Sequence, residues 1–127
     1  MINLNQIETE SVTFFFEDGI LNIVYKQEID IKIEHIKANI IARKQFQKTP
    51  KALLLVDFRK AWHISNEARI FLASSDVTDL NIAMAILVED LNSRLTANFF
   101  IKFNKPICPT KMFDSKQKAI TWLETFK

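Results

Sequence analysis

Residues 12–25 read VTFFFEDGILNIVY, two β-prone runs on either side of Glu17-Asp18-Gly19. Asp-Gly between runs of β-branched and aromatic residues is a strong hairpin signal, because both residues tolerate the positive φ angles of a tight turn. The stretch therefore predicts two antiparallel strands, residues 12–16 and 20–25.

Strand and helix patterns alternate after this hairpin. The apolar runs at 52–56 and 82–88 are typical of strands that are covered on both faces, and a shorter strand is predicted at 110–113. Helices are predicted at 33–47, 65–76 and 91–103 and after Ser115. The order β-β-α-β-α-β-α-β-α predicts a single α/β domain over residues 1–127, with a mainly parallel sheet, an antiparallel edge and covering helices.

The composition narrows the classes of function. A formal charge of +2 without a basic run argues against a nucleic-acid partner. Gly19 is the only glycine, so the glycine-rich loops of nucleotide-binding and nucleophile-elbow motifs are missing. The N-terminus does not resemble a signal peptide and no apolar run reaches membrane-spanning length, which together predict a cytoplasmic protein.

The number and spacing of the cysteine and histidine residues predict neither a disulfide nor a metal site. Cys108 is the only cysteine and is expected to be a buried, unreactive thiol. The two histidines, His35 and His63, lie on different elements without the spaced carboxylates of a metal motif. His35 is expected on the solvent side of its helix, and no cofactor is predicted.

Several short stretches resemble an uncharacterised STAS-type family of small bacterial proteins with the SpoIIAA-like fold. The stretches are Asp18-Gly19-Ile20-Leu21, Leu55-Val56-Asp57, Ser65-Asn66-Glu67-Ala68-Arg69, Ser93-Arg94, Asn98-Phe99-Phe100, Asn104-Lys105-Pro106 and Pro109-Thr110-Lys111. The similarity covers residues 14–126. It implies a STAS domain, the fold of anti-sigma-factor antagonists, and a regulatory role without catalysis.

The resemblance also points to Ser65. In the characterised antagonists, a serine at the start of the equivalent helix is phosphorylated by a partner kinase, which controls docking. Ser65 is the nearest equivalent by position, but the turn at 62–68 has one serine and no glycine, where the family has adjacent serines followed by a glycine. Ser65 is thus a candidate phosphosite, and its residue type also predicts a helix N-cap.

Six polar residues are predicted beyond the carboxyl ends of the parallel strands, the edge where open α/β sheets usually bind ligands. They combine acids, arginines and an imidazole, but none is a nucleophile with an identifiable base, so no catalytic residue is assigned and a non-enzyme is expected. The alternative interpretation is a set of helix caps and solvated charges. These candidate ligand-edge residues are Asp57, Arg59, His63, Glu89, Asp90 and Arg94.

Two helices have apolar residues on two sides, which indicates burial against a partner or under neighbouring loops. In the helix at 91–103, the spacing predicts a core stripe formed by Leu91, Leu95, Phe99 and Phe103. The second apolar sides of this helix and of the helix at 65–76 predict a self-association surface. Its residues are Ile70, Ala73, Val77, Ala97, Phe100 and Ile101.

Two function classes remain open. The leading prediction is a regulatory or scaffolding module that acts through protein–protein contacts, as a homodimer or with a regulatory protein partner. The alternative is binding of a lipid or other apolar small molecule in a pocket lined by some of the eleven phenylalanines.

Overall fold

The computed structural model describes residues 5–127. The strands are β1 Gln6–Glu8, β2 Val12–Glu17, β3 Ile20–Tyr25, β4 Asp30–Ile31, β5 Ala52–Asp57, β6 His63–Ile64, β7 Asn81–Leu87 and β8 Thr110–Phe113. The helices are α1 Ile33–Phe46, α2 Asn66–Ala73, α3 Ser75–Thr78, α4 Leu91–Phe99 and α5 Lys116–Glu124, and α4 continues into a π-helical turn, Phe100–Asn104. No helix within this range is long and apolar enough to cross a membrane.

Six strands form one sheet in the order β1-β2-β3-β5-β7-β8, and β4 and β6 form a separate two-stranded sheet. The β1–β2 and β2–β3 pairs are antiparallel, whereas β3–β5, β5–β7 and β7–β8 are parallel. Asp18 and Gly19 form the predicted turn with φ angles of 51° and 79°. The predicted sheet, mainly parallel with an antiparallel edge, is therefore confirmed.

Helices cover both faces of the sheet, which gives the protein two apolar clusters. The main core lies between one face and helices α1, α2 and α4, and the second core lies between the other face and α5. Successive residues of β5 alternate between the clusters, with Leu54 in the main core and Leu53 and Leu55 in the second. This alternation explains why β5 is apolar at every position from 52 to 56.

Helix α4 packs on the sheet with the side opposite to the predicted one. Ala97 and Phe100 are only 3% and 6% exposed, whereas Leu91 and Phe103 of the predicted core stripe are 71% and 68% exposed. Leu95 and Phe99 of that stripe are exposed as well. Small residues on the buried side bring the helix backbone close to the sheet, and Phe100 fills the space where the helix widens into its π-helical turn.

The predicted self-association surface was wrong in most of its members. Besides Ala97 and Phe100, the structure buries Ala73 and Val77, and it half-buries Ile101. The predicted helix at 65–76 ends at Ala73. Ser74 has an extended backbone conformation and is the N-cap of the separate short helix α3. This break turns Val77 inward, so that only Ile70 of the predicted set is exposed.

Helix α1 buries polar side chains that its apolar pattern does not reveal. Arg43 is 2% exposed, while the large apolar side chain of Ile41 faces solvent. The guanidinium group of Arg43 donates to Oε1 of Gln47 at 2.8 Å and to the carbonyl oxygen of Leu80 at 2.7 Å. These hydrogen bonds fasten the end of α1 to the turn that precedes β7.

The orientation of α4 can be tested by truncating one aromatic residue on each side. We expect Phe100→Ala to lower the free energy of unfolding by about 3–5 kcal/mol, because it opens a cavity in the main core. Phe103→Ala should cost less than about 1 kcal/mol, since its ring is already exposed to solvent. Urea unfolding of both variants measures the difference, and equal losses would contradict the orientation described here.

Candidate functional site

The six candidate ligand-edge residues pair with close neighbours rather than converge on one point. Asp57 and Arg59 form a two-pronged ion pair, in which Nε donates to Oδ1 at 3.0 Å and Nη2 donates to Oδ2 at 2.8 Å. The backbone N–H of Arg59 also donates to Oδ1. Burial alone would raise the pKa of Asp57, but these hydrogen bonds outweigh burial and hold the pKa below its usual value.

The other four edge residues lie in separate local contacts. Exposed His63 is 3.0 Å from Oδ1 of Asp30, and the ammonium group of Lys60 is 3.4 Å from Glu89. Asp90 accepts from the backbone N–H of Ser93 as the N-cap of α4, and Nη2 of Arg94 is 3.5 Å from Oδ2 of Asp114. Hydrogen bonds from Ser93 lower the pKa of Asp90. Ligand binding at this edge stays a prediction.

Ser65 is the N-cap of α2, as its residue type predicts. Its hydroxyl oxygen accepts a hydrogen bond from the backbone N–H of Ala68 at 3.1 Å, and the side chain is half-buried. A serine in this role contributes about 1 kcal/mol to stability. The phosphosite assignment stays a prediction.

His35 does not project freely into solvent, which corrects the expectation for this residue. Its ring is largely buried at the start of α1, where Nδ1 accepts from the backbone N–H of Lys32 at 3.0 Å and Nε2 lies 3.4 Å from Glu10. His35 therefore caps the start of α1 from the third residue of the helix. Among residues 5–127, no group of three or more His, Cys, Asp or Glu side chains is arranged to hold a metal ion. Cys108 is buried, as predicted.

The most prominent surface feature is a line of large apolar side chains along the outer side of α4. We call Leu91, Leu95, Phe99 and Phe103 the α4 ridge; all four are exposed. The sequence predicted the stripe but placed it in the core.

Two further exposed apolar residues lie on segments that contact the α4 ridge. Trp62 lies beside its first turn, because its carbonyl oxygen accepts from Nδ2 of Asn92 at 2.9 Å. Ile70 projects from α2, whose Arg69 guanidinium stacks on the ring of Phe99 at 4.8 Å. The α4 ridge is thus part of a wider apolar surface formed by the start of α4 and by α2.

Beneath α4, a cavity of about 80 Å³ lies within the main core. Its walls come from the sheet and from α1, α2 and α4, and include Phe14, Met84, Ala97 and Phe100. Arg43 and Arg69 also line it. The sequence suggested an apolar pocket lined by phenylalanines as an alternative, but it did not indicate the two arginines, which come from distant parts of the chain.

The ion pair of Asp57 with Arg59 predicts a pH-dependent contribution to stability. Because the pKa of Asp57 is lower in the folded protein, the contribution is present above the unfolded-state pKa of about 3.9 and is lost as the pH falls through the folded-state value. We expect Asp57→Asn to lower the free energy of unfolding by about 1 kcal/mol at neutral pH and by progressively less in acid. The effect is modest because Arg59 is partly exposed to solvent.

Urea unfolding of both proteins across this pH range checks the prediction. Asp79→Asn, at an exposed carboxylate near the end of α3, is the matched control and should show no such trend. A cost for Asp57→Asn that stays constant into acid would contradict the role of the ion pair.

Comparison with known proteins places these features in a family. None of the curated proteins compared with the chain matches it. A similar solved structure is that of an uncharacterized protein of the DUF3478 family from Shewanella loihica PV-4, which has a SpoIIAA-like fold. The two share 15% sequence identity and a TM-score of 0.62 over 89% of this chain and 92% of the other, which establishes the SpoIIAA-like fold. Residues 14–127 match the family described as a domain of unknown function, DUF7793, and the chain belongs to that family.

Proposed function

We propose that this protein is a non-enzymatic regulatory or scaffolding module that acts through protein–protein contact, and that the α4 ridge is its contact surface. The observation that carries the proposal is the exposure of four large apolar side chains in line on one helix. Contiguous apolar surface of this kind on a small domain marks an interaction site more often than scattered exposed residues do.

The energetics favour covering this surface. Burying a leucine or phenylalanine side chain contributes about 1.5–3 kcal/mol, and the α4 ridge offers four such residues. Trp62 and Ile70, which lie on segments that contact α4, are exposed apolar residues as well. Large aromatic residues surrounded by aliphatic ones are typical of the centre of protein interfaces.

The partner that we propose is a second copy of the chain. The residues of the α4 ridge recur every four positions, which is the row that interlocks with an equivalent row when two helices cross at about −50°. Arg94 is the only charged residue within α4, and Lys102 follows in the π-helical turn, so apolar side chains dominate the row that a second copy would contact. A two-fold axis would bring the same surface of both copies together.

The cavity supports the alternative function less well. Pockets for drug-sized ligands have volumes of roughly 300–1,000 Å³, several times the 80 Å³ found here. A lipid chain would therefore require the main core to open. For this reason we place protein–protein contact ahead of lipid binding.

Replacing one residue of the α4 ridge by a charged residue tests the dimer. We expect sedimentation velocity to show a concentration-dependent dimer of the natural protein, and Leu95→Lys to weaken self-association by at least about tenfold, since the lysine would have to be desolvated at the interface. Ile41→Lys is the matched control, because Ile41 is similarly exposed on α1 outside the ridge. A natural protein that stays monomeric at high concentration, or equal effects of both substitutions, would count against the proposal.

Ser65 is the site at which we propose that this contact is regulated. A phosphate there would be stabilised by the N-terminus of α2 and would lie one helical turn from Arg69, whose side chain stacks on Phe99 of the α4 ridge. Attraction of Arg69 to the phosphate would change the surface beside Phe99.

Mass spectrometry of the protein purified from its own host tests this regulation. We expect a fraction of the intact chains to carry the mass of one phosphate, with peptide mapping to Ser65, and we expect Ser65→Ala to remove that fraction. Ser115→Ala is the matched control, because Ser115 is likewise the N-cap of a helix. Phosphate found only at other residues would contradict the role of Ser65.

A further inference from the structure

The cavity beneath α4 has a charge pattern that apolar packing does not require. Of the described residues that line it, two are arginines, Arg43 and Arg69, and none is an aspartate or glutamate. We propose that this cavity binds a small monocarboxylate, with a carboxylate oxygen accepting a hydrogen bond from Nε of Arg69 and the alkyl part resting against the apolar walls. This proposal is independent of the dimer.

Arg69 provides the donor for such a ligand. Its Nη1 donates to the carbonyl oxygen of Ile64 at 3.0 Å, and its Nη2 donates to Oδ1 of Asn66 at 3.0 Å. Its Nε, by contrast, is buried and has no hydrogen-bond partner. Leaving a buried guanidinium N–H unpaired is costly, and a carboxylate oxygen is a well-matched acceptor for it.

Arg43 adds a second positive charge to the same cavity wall. Its hydrogen bonds go to neutral acceptors, the side chain of Gln47 and the carbonyl oxygen of Leu80. Burial lowers the pKa of Arg43 to about 10, which still leaves the guanidinium protonated at neutral pH. Because charges interact more strongly beside apolar walls than in bulk water, both arginines favour an anion in the cavity over a neutral or cationic molecule.

The size and lining of the cavity select the class of anion. On this measure of cavity volume a water molecule needs about 10–15 Å³, so 80 Å³ accommodates only a few non-hydrogen atoms, as in acetate or propionate. Sulfate or phosphate would need donors around all four oxygens, and beside the arginines the lining has only the polar side chains of Tyr25, Asn39, Asn81 and Thr96 among mostly apolar residues. A short alkyl carboxylate matches the apolar walls and the unpaired Nε of Arg69, with its oxygens lying away from Oδ1 of Asn81, a buried acceptor without a partner that also lines the cavity.

Methyl NMR of the natural protein labelled at methionine provides a direct test. Met84 lines the cavity, whereas Met112 lies on β8 outside its lining and serves as an internal control. We expect propionate at neutral pH to shift the Met84 methyl signal saturably without a matching shift of Met112. Propanol and propylamine, which have similar size but no negative charge, should bind at least about tenfold more weakly.

Two variants assign the interaction within the cavity. We expect Arg69→Met to weaken propionate binding by about 10–100-fold, the range for losing a hydrogen bond to a charged group, whereas the control Arg94→Met at the surface should not change it. Ala97→Leu should abolish binding by filling the cavity, with the signals of Met84 and Met112 showing whether each variant is folded.

Three outcomes would overturn the proposal. The first is a Met84 signal that does not respond to propionate even in the tens of millimolar. The second is equal binding of propionate and propanol, which would identify the cavity as an uncharged apolar space. The third is undiminished binding by a folded Arg69→Met variant, which would remove Arg69 from the site.

Discussion

The hydrogen bonds that attach the start of α4 to the segment after β7 determine which side of α4 is exposed to solvent. The buried hydroxyl of Ser93 accepts hydrogen bonds from the backbone N–H groups of Glu89 and Asp90, and Asp90 caps the helix in return. This exchange fixes the rotation of α4 about its axis. With Ser93 turned towards the sheet, Ala97 and Phe100 follow it inward at helical spacing, and the α4 ridge has to face solvent.

The sheet could be predicted from the sequence because its signals are local and unambiguous. The Asp18-Gly19 turn pins the hairpin, and strands buried on both faces, such as β5, are apolar at nearly every position, so no choice of face arises. Helix α4 poses such a choice, since a stripe of leucine and phenylalanine is the usual mark of a buried side. The capping hydrogen bonds between Ser93 and the backbone of Glu89 and Asp90 favour the opposite side of the helix, which the spacing of the leucine and phenylalanine residues does not reveal.

The residues of the candidate sites could likewise be named from the sequence only in part, and their contacts could not. The strand order brings the six edge residues to neighbouring strand ends, but their pairing depends on contacts such as Lys60 with Glu89 that span separate loops. Likewise, the two cavity arginines are 26 positions apart and come from different helices. Arg43 in particular looks like a surface residue in the last turn of α1, and only the carbonyl oxygen of Leu80 explains its burial.

Arg69 stands between the two proposed binding regions. One face of its guanidinium group lies over Phe99 of the α4 ridge, while its unpaired Nε belongs to a residue that lines the cavity. If an anion in the cavity holds this side chain in a different position, the surface available to a partner changes with it. Linkage then requires the reverse effect to be equal: a partner that favours one position of Arg69 alters the affinity of the cavity for its anion by the same factor. A single side chain shared by a surface and a cavity is thus sufficient to couple them, without any movement of the sheet.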